Sequence, residues 1–111
     1  MVIYSERFVK FITRGFARAI TLYPFILIRH KEDLKNNVLL NHENIHLAQQ
    51  KELFLIGFYI LYVYYFIKMK RYFINNTVAY RAIPFEKEAK LNEKNLEYLK
   101  NRKGFSWKKY G

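Results

Sequence analysis

Two of the three histidines in this chain lie four residues apart, in the sequence His42-Glu43-Asn44-Ile45-His46. Residues four apart on an α-helix are separated by about 40° around the axis, so both imidazoles project from one face and can reach one ion. Neutral imidazole binds Zn²⁺ well, and a carboxylate beside the first ligand can take a proton from a water without being a ligand itself. The pentad therefore predicts a zinc site with His42 and His46 as ligands and Glu43 as general base.

Catalytic zinc usually has three protein ligands, so one more residue has to complete the site. A metzincin would have glycine at position 49 and histidine at position 52, where this sequence has Gln49 and Glu52, and that class is excluded. The remaining candidates are His30 upstream and two glutamates downstream, Glu86 and Glu88. Both glutamates fall at the start of a predicted helix, and periodicity alone does not choose between them.

The order of these motifs resembles the gluzincin group of zinc peptidases, including the CAAX-type membrane proteases and small bacterial proteins of the same architecture. Those families carry the third ligand on a second helix and place alanine three residues after it, as Ala89 follows Glu86, so the resemblance favours Glu86. A thermolysin-like pattern, with alanine directly after the ligand, would select Glu88 instead. Position 90, often Asp or Asn in those families, is Lys90, so the residue that would orient one histidine is not identified.

The resemblance implies a zincin-like α+β fold, mostly helical, with an active-site helix, a glutamate helix and a short edge strand or hairpin. It also implies hydrolysis of peptide bonds in a peptide or protein substrate, with zinc as the cofactor. Substrate would pair as an added strand along a sheet edge. The candidate strand is formed by Phe25, Ile26, Leu27 and Ile28. Candidates for stabilising the transition state are Tyr80, Arg81 and His30.

The pattern of apolar residues predicts the elements that would position this site within a single domain, 1–111. We expect an amphipathic helix over Ser5–Phe16 that ends near Gly15, and extended structure over Ala17–Arg29 with a bend or an edge at Pro24. A polar turn is expected at Lys31–Asn37, followed by a helical stretch over Val38–Lys70 that is interrupted only at Gly57. After a loop at 75–77 we expect a glutamate helix over Pro84–Lys100. The basic tail, 101–111, is expected to pack through Phe105 and Trp107.

Composition limits the classes of function. The chain has 111 residues with 20 Lys and Arg against 9 Asp and Glu, a net charge of +11, and 51% hydrophobic residues, which is enough for a core. It has no cysteine, which excludes a disulfide scaffold, a thiolate metal site and a thiol nucleophile. The first residues carry scattered charges without an apolar run, so we expect a cytoplasmic protein.

Leu53–Ile67 is a run of fifteen residues without a charge. As a helix it would reach only about 22 Å, which is short of the roughly 30 Å hydrocarbon core of a bilayer. Its length favours a buried core helix, whereas its tyrosines favour a helix at or in the inner face of the membrane. Both interpretations are compatible with the sequence.

Two other classes of function compete with the peptidase. One is a non-catalytic, zinc-stabilised interaction module, because a chain this small has little room for a substrate cleft. The other is a basic protein that binds an anionic membrane surface or nucleic acid, given the lysine-rich second half of the chain. Nucleic acid is the less favoured partner, since no stacking or groove-reading motif accompanies the basic residues.

Overall fold

The computed structural model describes residues 2–13 and 18–110, which form an α+β fold that is mostly helical, as predicted. Within these residues, three short strands form one sheet: β1 (Val2–Tyr4), β2 (Ala19–Leu22) and β3 (Phe25–Ile28). The α-helices are α1 (Glu6–Thr13), α2 (Asn37–Glu52), α3 (Ile56–Lys70), α4 (Asn76–Arg81), α5 (Pro84–Asn92) and α6 (Tyr98–Asn101). Two 3₁₀ helices span Lys31–Lys35 and Ser106–Tyr110.

The sheet has the order β1-β3-β2, with β3 parallel to β1 and antiparallel to β2. The predicted bend at Pro24 is confirmed, because Tyr23 and Pro24 form the turn between β2 and β3. The prediction that Phe25–Ile28 offers a free edge is wrong, since β3 pairs on both sides. Three of its four residues are buried, and a continuous apolar run is typical of such a central strand. The edge strands of the sheet are therefore β1 and β2.

Helix α1 covers the described part of the first predicted helix. Its predicted end at Gly15, together with Phe16 and Ala17, lies outside the described residues, as do the side chains of Phe11 and Ile12. Val9 is fully buried, whereas Phe8 is exposed. The described residues therefore show one buried position on this helix.

Local capping explains where several helices begin. The side chain of Asn36 accepts a hydrogen bond from the backbone N–H of Leu39 at the start of α2. Pro84 occupies the first turn of α5, where its missing N–H costs nothing. The predicted loop at 75–77 is instead the start of α4, capped by Asn75, and the predicted turn after β3 contains a 3₁₀ helix. Both corrections concern short helices in segments rich in turn-forming residues, for which composition alone predicts a turn or a loop.

The predicted helical stretch over 38–70 consists of two helices, α2 and α3, whose axes differ by 113°. The break lies at Phe54 and Leu55, whose φ angles are 54° and 63°, and not at Gly57. The N–H of Leu55 closes the turn by donating to the carbonyl of Gln50 at 2.7 Å. A positive φ is costly for these residue types. Packing of α3 against the rest of the core offsets that cost.

The core lies between α3, α5 and the C-terminal 3₁₀ helix. Phe58, Ile83, Phe85 and Trp107 form a buried cluster, and the Phe85 ring centroid lies 4.7 Å from those of both Phe58 and Trp107. Packing of the tail through Trp107 is thus confirmed, whereas Phe105 is exposed. Burial of these large rings is the main apolar contribution that holds α3 against α5.

The glutamate helix is shorter than predicted. It ends at Asn92 rather than Lys100, and α6 follows after a turn. The Nδ2 atom of Asn41 on α2 donates to the carbonyls of Asn92, Glu93 and Asn95, at 3.3, 2.8 and 3.0 Å. The carbonyls of Asn92 and Asn95 also accept backbone N–H groups, so the three bonds from Asn41 add to the hydrogen bonding at the end of the helix. They also attach the end of α5 to α2 one residue before His42.

None of the described helices is long and apolar enough by itself to cross a membrane. Taken together, α2 and α3 pass the same test of length and composition, but with the 113° bend between them.

Candidate metal centre

The two histidines of α2 and a glutamate of α5 meet in one cluster. His46 Nε2 lies 3.2 Å from His42 Nε2 and 3.1 Å from Glu86 Oε1, and His42 Nε2 lies 3.4 Å from the same carboxylate oxygen. Zinc bonds of 2.0–2.1 Å in a tetrahedron separate the ligand atoms by about 3.3 Å. The three atoms therefore already have the spacing of three corners of a zinc tetrahedron, and this group could hold a metal ion.

The cluster is buried and electrostatically negative. Burial by itself would lower the pKa of His46, but the charge and hydrogen bond of Glu86, together with the charge of Glu43, raise it to about 9. Burial likewise opposes ionisation of Glu86, but the two histidines hold its pKa well below the usual 4.5. The carboxylates of Glu43 and Glu86, both buried, favour a cation in the cluster. A divalent metal would satisfy that preference and displace the imidazole proton.

Gln49 orients His46. Its Nε2 donates to the carbonyl of Phe85 at 3.0 Å and to Glu88 Oε1 at 2.9 Å, so its Oε1 must be the atom 2.8 Å from His46 Nδ1. An amide oxygen can only accept, so Nδ1 carries a proton, and loss of the second proton of the imidazolium leaves the lone pair of Nε2 facing the cluster. This is the tautomer that binds a metal.

Glu93 orients His42 in the same way. Its Oε1 lies 2.8 Å from His42 Nδ1, and its other oxygen lies 3.4 Å from the ammonium of Lys90. The carboxylate that contacts His42 therefore comes from Glu93, three residues after Lys90. A carboxylate at Nδ1 raises the basicity of the ligating nitrogen.

Glu43 lies beside the cluster and is held from the sheet. Thr21 on β2 donates its hydroxyl to Glu43 Oε1 at 2.8 Å, while Glu43 Oε2 lies 3.8 Å from His42 Nε2. One carboxylate oxygen is therefore fixed and the other faces the ligand atoms. The geometry agrees with a base that acts next to a metal without ligating it.

Two tyrosines surround Glu86. Tyr62 of α3 donates to Glu86 Oε2 at 2.7 Å, which leaves Oε1 for the histidines. Burial, the charge of Glu86 and the neighbouring Tyr80 raise the pKa of Tyr62 well above 10. Burial and the charges of Glu86 and Glu43 raise the pKa of Tyr80 in the same way. Both hydroxyls therefore stay protonated and can act as donors.

The structure separates the two candidate glutamates. Glu88 is fully buried but belongs to an ion cluster with Arg102, whose guanidinium also binds Glu52. Tyr98 donates to the same carboxylate at 2.6 Å. Glu88 therefore lies away from the ligand atoms of the histidines and reaches His46 only through Gln49.

Two cavities meet at the cluster. The larger, of about 660 Å³, lies between β2, α2, α3 and α4, and its wall is mostly aromatic and aliphatic. The smaller, of about 310 Å³, contains the basic side chains of Arg18, Arg81 and Lys90. Glu43, Tyr80 and Glu86 line both cavities. Of the other predicted site residues, Arg81 lines only the smaller cavity, and His30, at the end of β3, lines neither.

The strand at the larger cavity is β2, through Ala19, Ile20 and Thr21. The Arg29 N–H donates to the carbonyl of Arg18, so alternation in the antiparallel ladder directs the backbone groups of Ala19 and Thr21 toward the free edge. Part of that edge is occupied, because the Gln50 side chain donates to the carbonyl of Thr21 and accepts from the N–H of Tyr23. The accessible length of edge is therefore short and centres on Ala19.

Four residues of the site were not assigned a role from the sequence. Gln49 and Glu93 follow His46 and Glu86 by three and seven residues, so helical spacing could have indicated both. Thr21 and Tyr62 reach the site from β2 and α3, and no local pattern in the sequence places them there.

Comparison with models of known protein families, with curated proteins and with solved structures found no match for this chain. Its function is therefore inferred from the arrangement of its own residues.

Proposed function

We propose that this protein is a zinc-dependent peptidase in which His42, His46 and Glu86 hold the metal. The observation that carries the proposal is the mutual spacing of the three ligand atoms, 3.1–3.4 Å, with each histidine oriented by a separate acceptor. When bound, zinc supplies Lewis acidity, which polarises a scissile carbonyl and lowers the pKa of a water toward about 7.

Glu43 is the general base. Its Oε2 faces the ligand atoms, and the bond from Thr21 to Oε1 fixes the rotation of the carboxylate. In this position it takes the proton of the attacking water and delivers it to the leaving amine. Glu43 is buried, so its orientation is held without competition from bulk water.

Tyr80 stabilises the negative charge that develops on the carbonyl oxygen. It lines both cavities beside Glu43 and Glu86, and its raised pKa keeps the phenol protonated at neutral pH. A positioned donor of this kind acts on charge that appears only in the transition state. Arg81, which is exposed in the smaller cavity, is the second candidate for that function.

Substrate pairs as a short added strand along the edge of β2 at Ala19, rather than along Phe25–Ile28. The bonds of Gln50 to Thr21 and Tyr23 end this pairing on one side. The apolar wall of the larger cavity accepts an aliphatic or aromatic side chain of the substrate. Two facing helices with an edge strand beside them match the arrangement that the gluzincin resemblance implies, which supports the zincin-like interpretation of the fold.

The test combines metal analysis with hydrolysis. Wild type, purified without added metal, is expected to contain near-equimolar zinc by elemental analysis, and His46→Ala and Glu86→Ala are expected to lose it. His30→Ala is the matched control, since His30 is not part of the cluster of ligand atoms and lines neither cavity, and it should keep the metal. Glu43→Gln should retain zinc and lose about 10²–10⁴-fold in the rate of cleavage of a fluorogenic peptide library.

Absence of zinc from the wild type, even after incubation with the metal, would contradict the proposal. Zinc in the wild type without hydrolysis of any peptide would instead support the non-catalytic module, in which the metal joins α2 to α5 and only stabilises the fold.

A further inference from the structure

Helix α3 has an exposed apolar side that the fold leaves uncovered. Its side chains are between 55% and 70% exposed, and we call them the α3 face: Ile56, Ile60, Val63, Tyr64 and Ile67. Phe54 precedes the helix with 89% exposure, and Ile74 follows it with 93%. The apolar surface thus extends over the whole length of the helix and past both of its ends.

The α3 face is a true helical face. Its spacings of four, three, one and three residues keep all five side chains within about 100° around the axis. The opposite side of the helix is already used, because Phe58 is buried in the core and Tyr62 and Phe66 line the larger cavity. Packing within the chain therefore explains one side of α3 and leaves the other without a partner among the described residues.

The charges near the α3 face have one sign. Residues 53–85 include neither Asp nor Glu, while Lys68, Lys70 and Arg71 stand at the C-terminal end of the helix and Arg81 follows. Lys68 and Arg71 are exposed, and neither has a carboxylate partner within the described residues. An apolar surface that ends in unpaired cations is complementary to a bilayer containing anionic lipid.

We propose that the α3 face lies in the surface of an anionic membrane, with the helix axis along the plane of the bilayer. The five apolar side chains enter the boundary of the acyl chains, and Lys68 and Arg71 meet the lipid phosphates, with their aliphatic stems lying along the apolar region. A length of about 22 Å suits a helix that lies on the membrane rather than one that crosses it.

Charge favours lipid over a second copy of the chain as the occupant. Each copy carries +11, so two copies repel each other, whereas an anionic bilayer attracts the same charge. Binding at this face would place the larger cavity, which is lined by the other side of α3, within about one helix diameter, roughly 10 Å, of the membrane surface. The proposal does not depend on zinc or on hydrolysis.

Flotation with vesicles tests it. The full chain is mixed with vesicles of phosphatidylcholine alone or of phosphatidylcholine with phosphatidylglycerol, at low and at high salt. Wild type is expected to float with the anionic vesicles and at least tenfold less with the neutral ones, and salt should weaken the binding. The double variant Ile60→Glu/Ile67→Glu should lose binding by more than tenfold. Its matched control is Leu91→Glu/Leu96→Glu, two residues that are exposed elsewhere, and it should bind as wild type does.

A second variant does not disturb packing. Lys68→Gln/Arg71→Gln changes exposed side chains only and should reduce the preference for anionic over neutral vesicles while leaving the circular dichroism spectrum unchanged. Failure of wild type to float, or equal loss of binding in the Leu91/Leu96 control, would overturn the proposal. A second contradicting result would be a wild type that sediments as a dimer and does not bind vesicles, with the dimer dissociated by Ile60→Glu/Ile67→Glu. The α3 face would then be covered by a second copy of the chain.

Discussion

The Oε1 atom of Gln49 lies 2.8 Å from Nδ1 of His46, one turn along the same helix. Because the amide nitrogen of Gln49 is committed to Phe85 and Glu88 on α5, this contact holds His46 in the tautomer that can bind a metal. Helix α2, which carries His42 and His46, is thus aligned with α5, which carries Glu86, through one buried side chain.

Gln49→Ala should weaken zinc binding by about 10–100-fold, the effect expected when the acceptor behind a ligating histidine is removed. The measurement is a competition titration against a chromophoric chelator. Gln50→Ala is the matched control, because Gln50 is equally buried on the same helix but binds β2 instead of a histidine. Equal affinities for the two variants would show that Gln49 has no special role at the metal.

Thr21→Val should leave the metal in place and slow hydrolysis. It removes the hydroxyl donor to Glu43 with little change of shape, and a hydrogen bond to a charged group contributes about 1.5–3 kcal/mol, which corresponds to roughly ten- to a hundredfold in rate. Steady-state kinetics and zinc content are measured on the same preparation. An unchanged turnover number would exclude Thr21 as the residue that positions the base. Thr77→Val, at an exposed site on α4, should behave as wild type.

Removal of the metal should destabilise the chain, because the ligands join α2 to α5. A ligand present at a hundred times its Kd stabilises the folded state by about 2.7 kcal/mol, so we expect the melting temperature to fall by roughly ten degrees on dialysis against a chelator. Differential scanning calorimetry records the shift. His46→Ala should melt at the same temperature with and without the chelator, and a shift in that variant would locate the metal elsewhere.

Arg102→Met should lower the free energy of unfolding by about 3–5 kcal/mol. The guanidinium lies between Glu52 and Glu88, and its loss leaves the buried Glu88 and the partly buried Glu52 without a counter-charge. Urea unfolding gives the value. Lys100→Met breaks an exposed ion pair with Glu97 and should change stability by less than about 1 kcal/mol. Similar effects for the two variants would contradict a structural role for the buried cluster.

The free energy of unfolding should decrease at acid pH because Glu88 becomes protonated. Burial by itself would raise the pKa of this carboxyl, but hydrogen bonds from Arg102, Tyr98 and Gln49 hold it below the ordinary 4.5. A pKa lowered by folding contributes stability above the unfolded value and loses it as the pH falls through the folded value. Urea unfolding at a series of pH values below about 4.5 should therefore show a decline that is less steep in Glu88→Gln. If the free energy of unfolding depends on pH in the same way in wild type and Glu88→Gln, other groups cause the acid sensitivity.

The sequence alone determined the features that depend on local spacing. The pentad from His42 to His46 places two imidazoles on one helical face wherever that helix lies, and the apolar run after Pro24 indicates a strand from its residue types. Pro84 marks the start of the helix that carries the glutamates. These are properties of neighbours along the chain, and no tertiary contact is needed to infer them.

The tertiary structure decided everything that depends on which elements meet. Glu86 and Glu88 have almost the same local context, and only the docking of α5 on α2 turns one toward the histidines and the other toward Arg102. The break at Phe54 and Leu55 could not be predicted, because neither residue type breaks helices. Their positive φ angles are maintained because α3 packs back on the core. The same fold made β3 the central strand and gave the free edge beside Glu43 to β2, because strand order is set by pairing between segments and not by the residues within one of them.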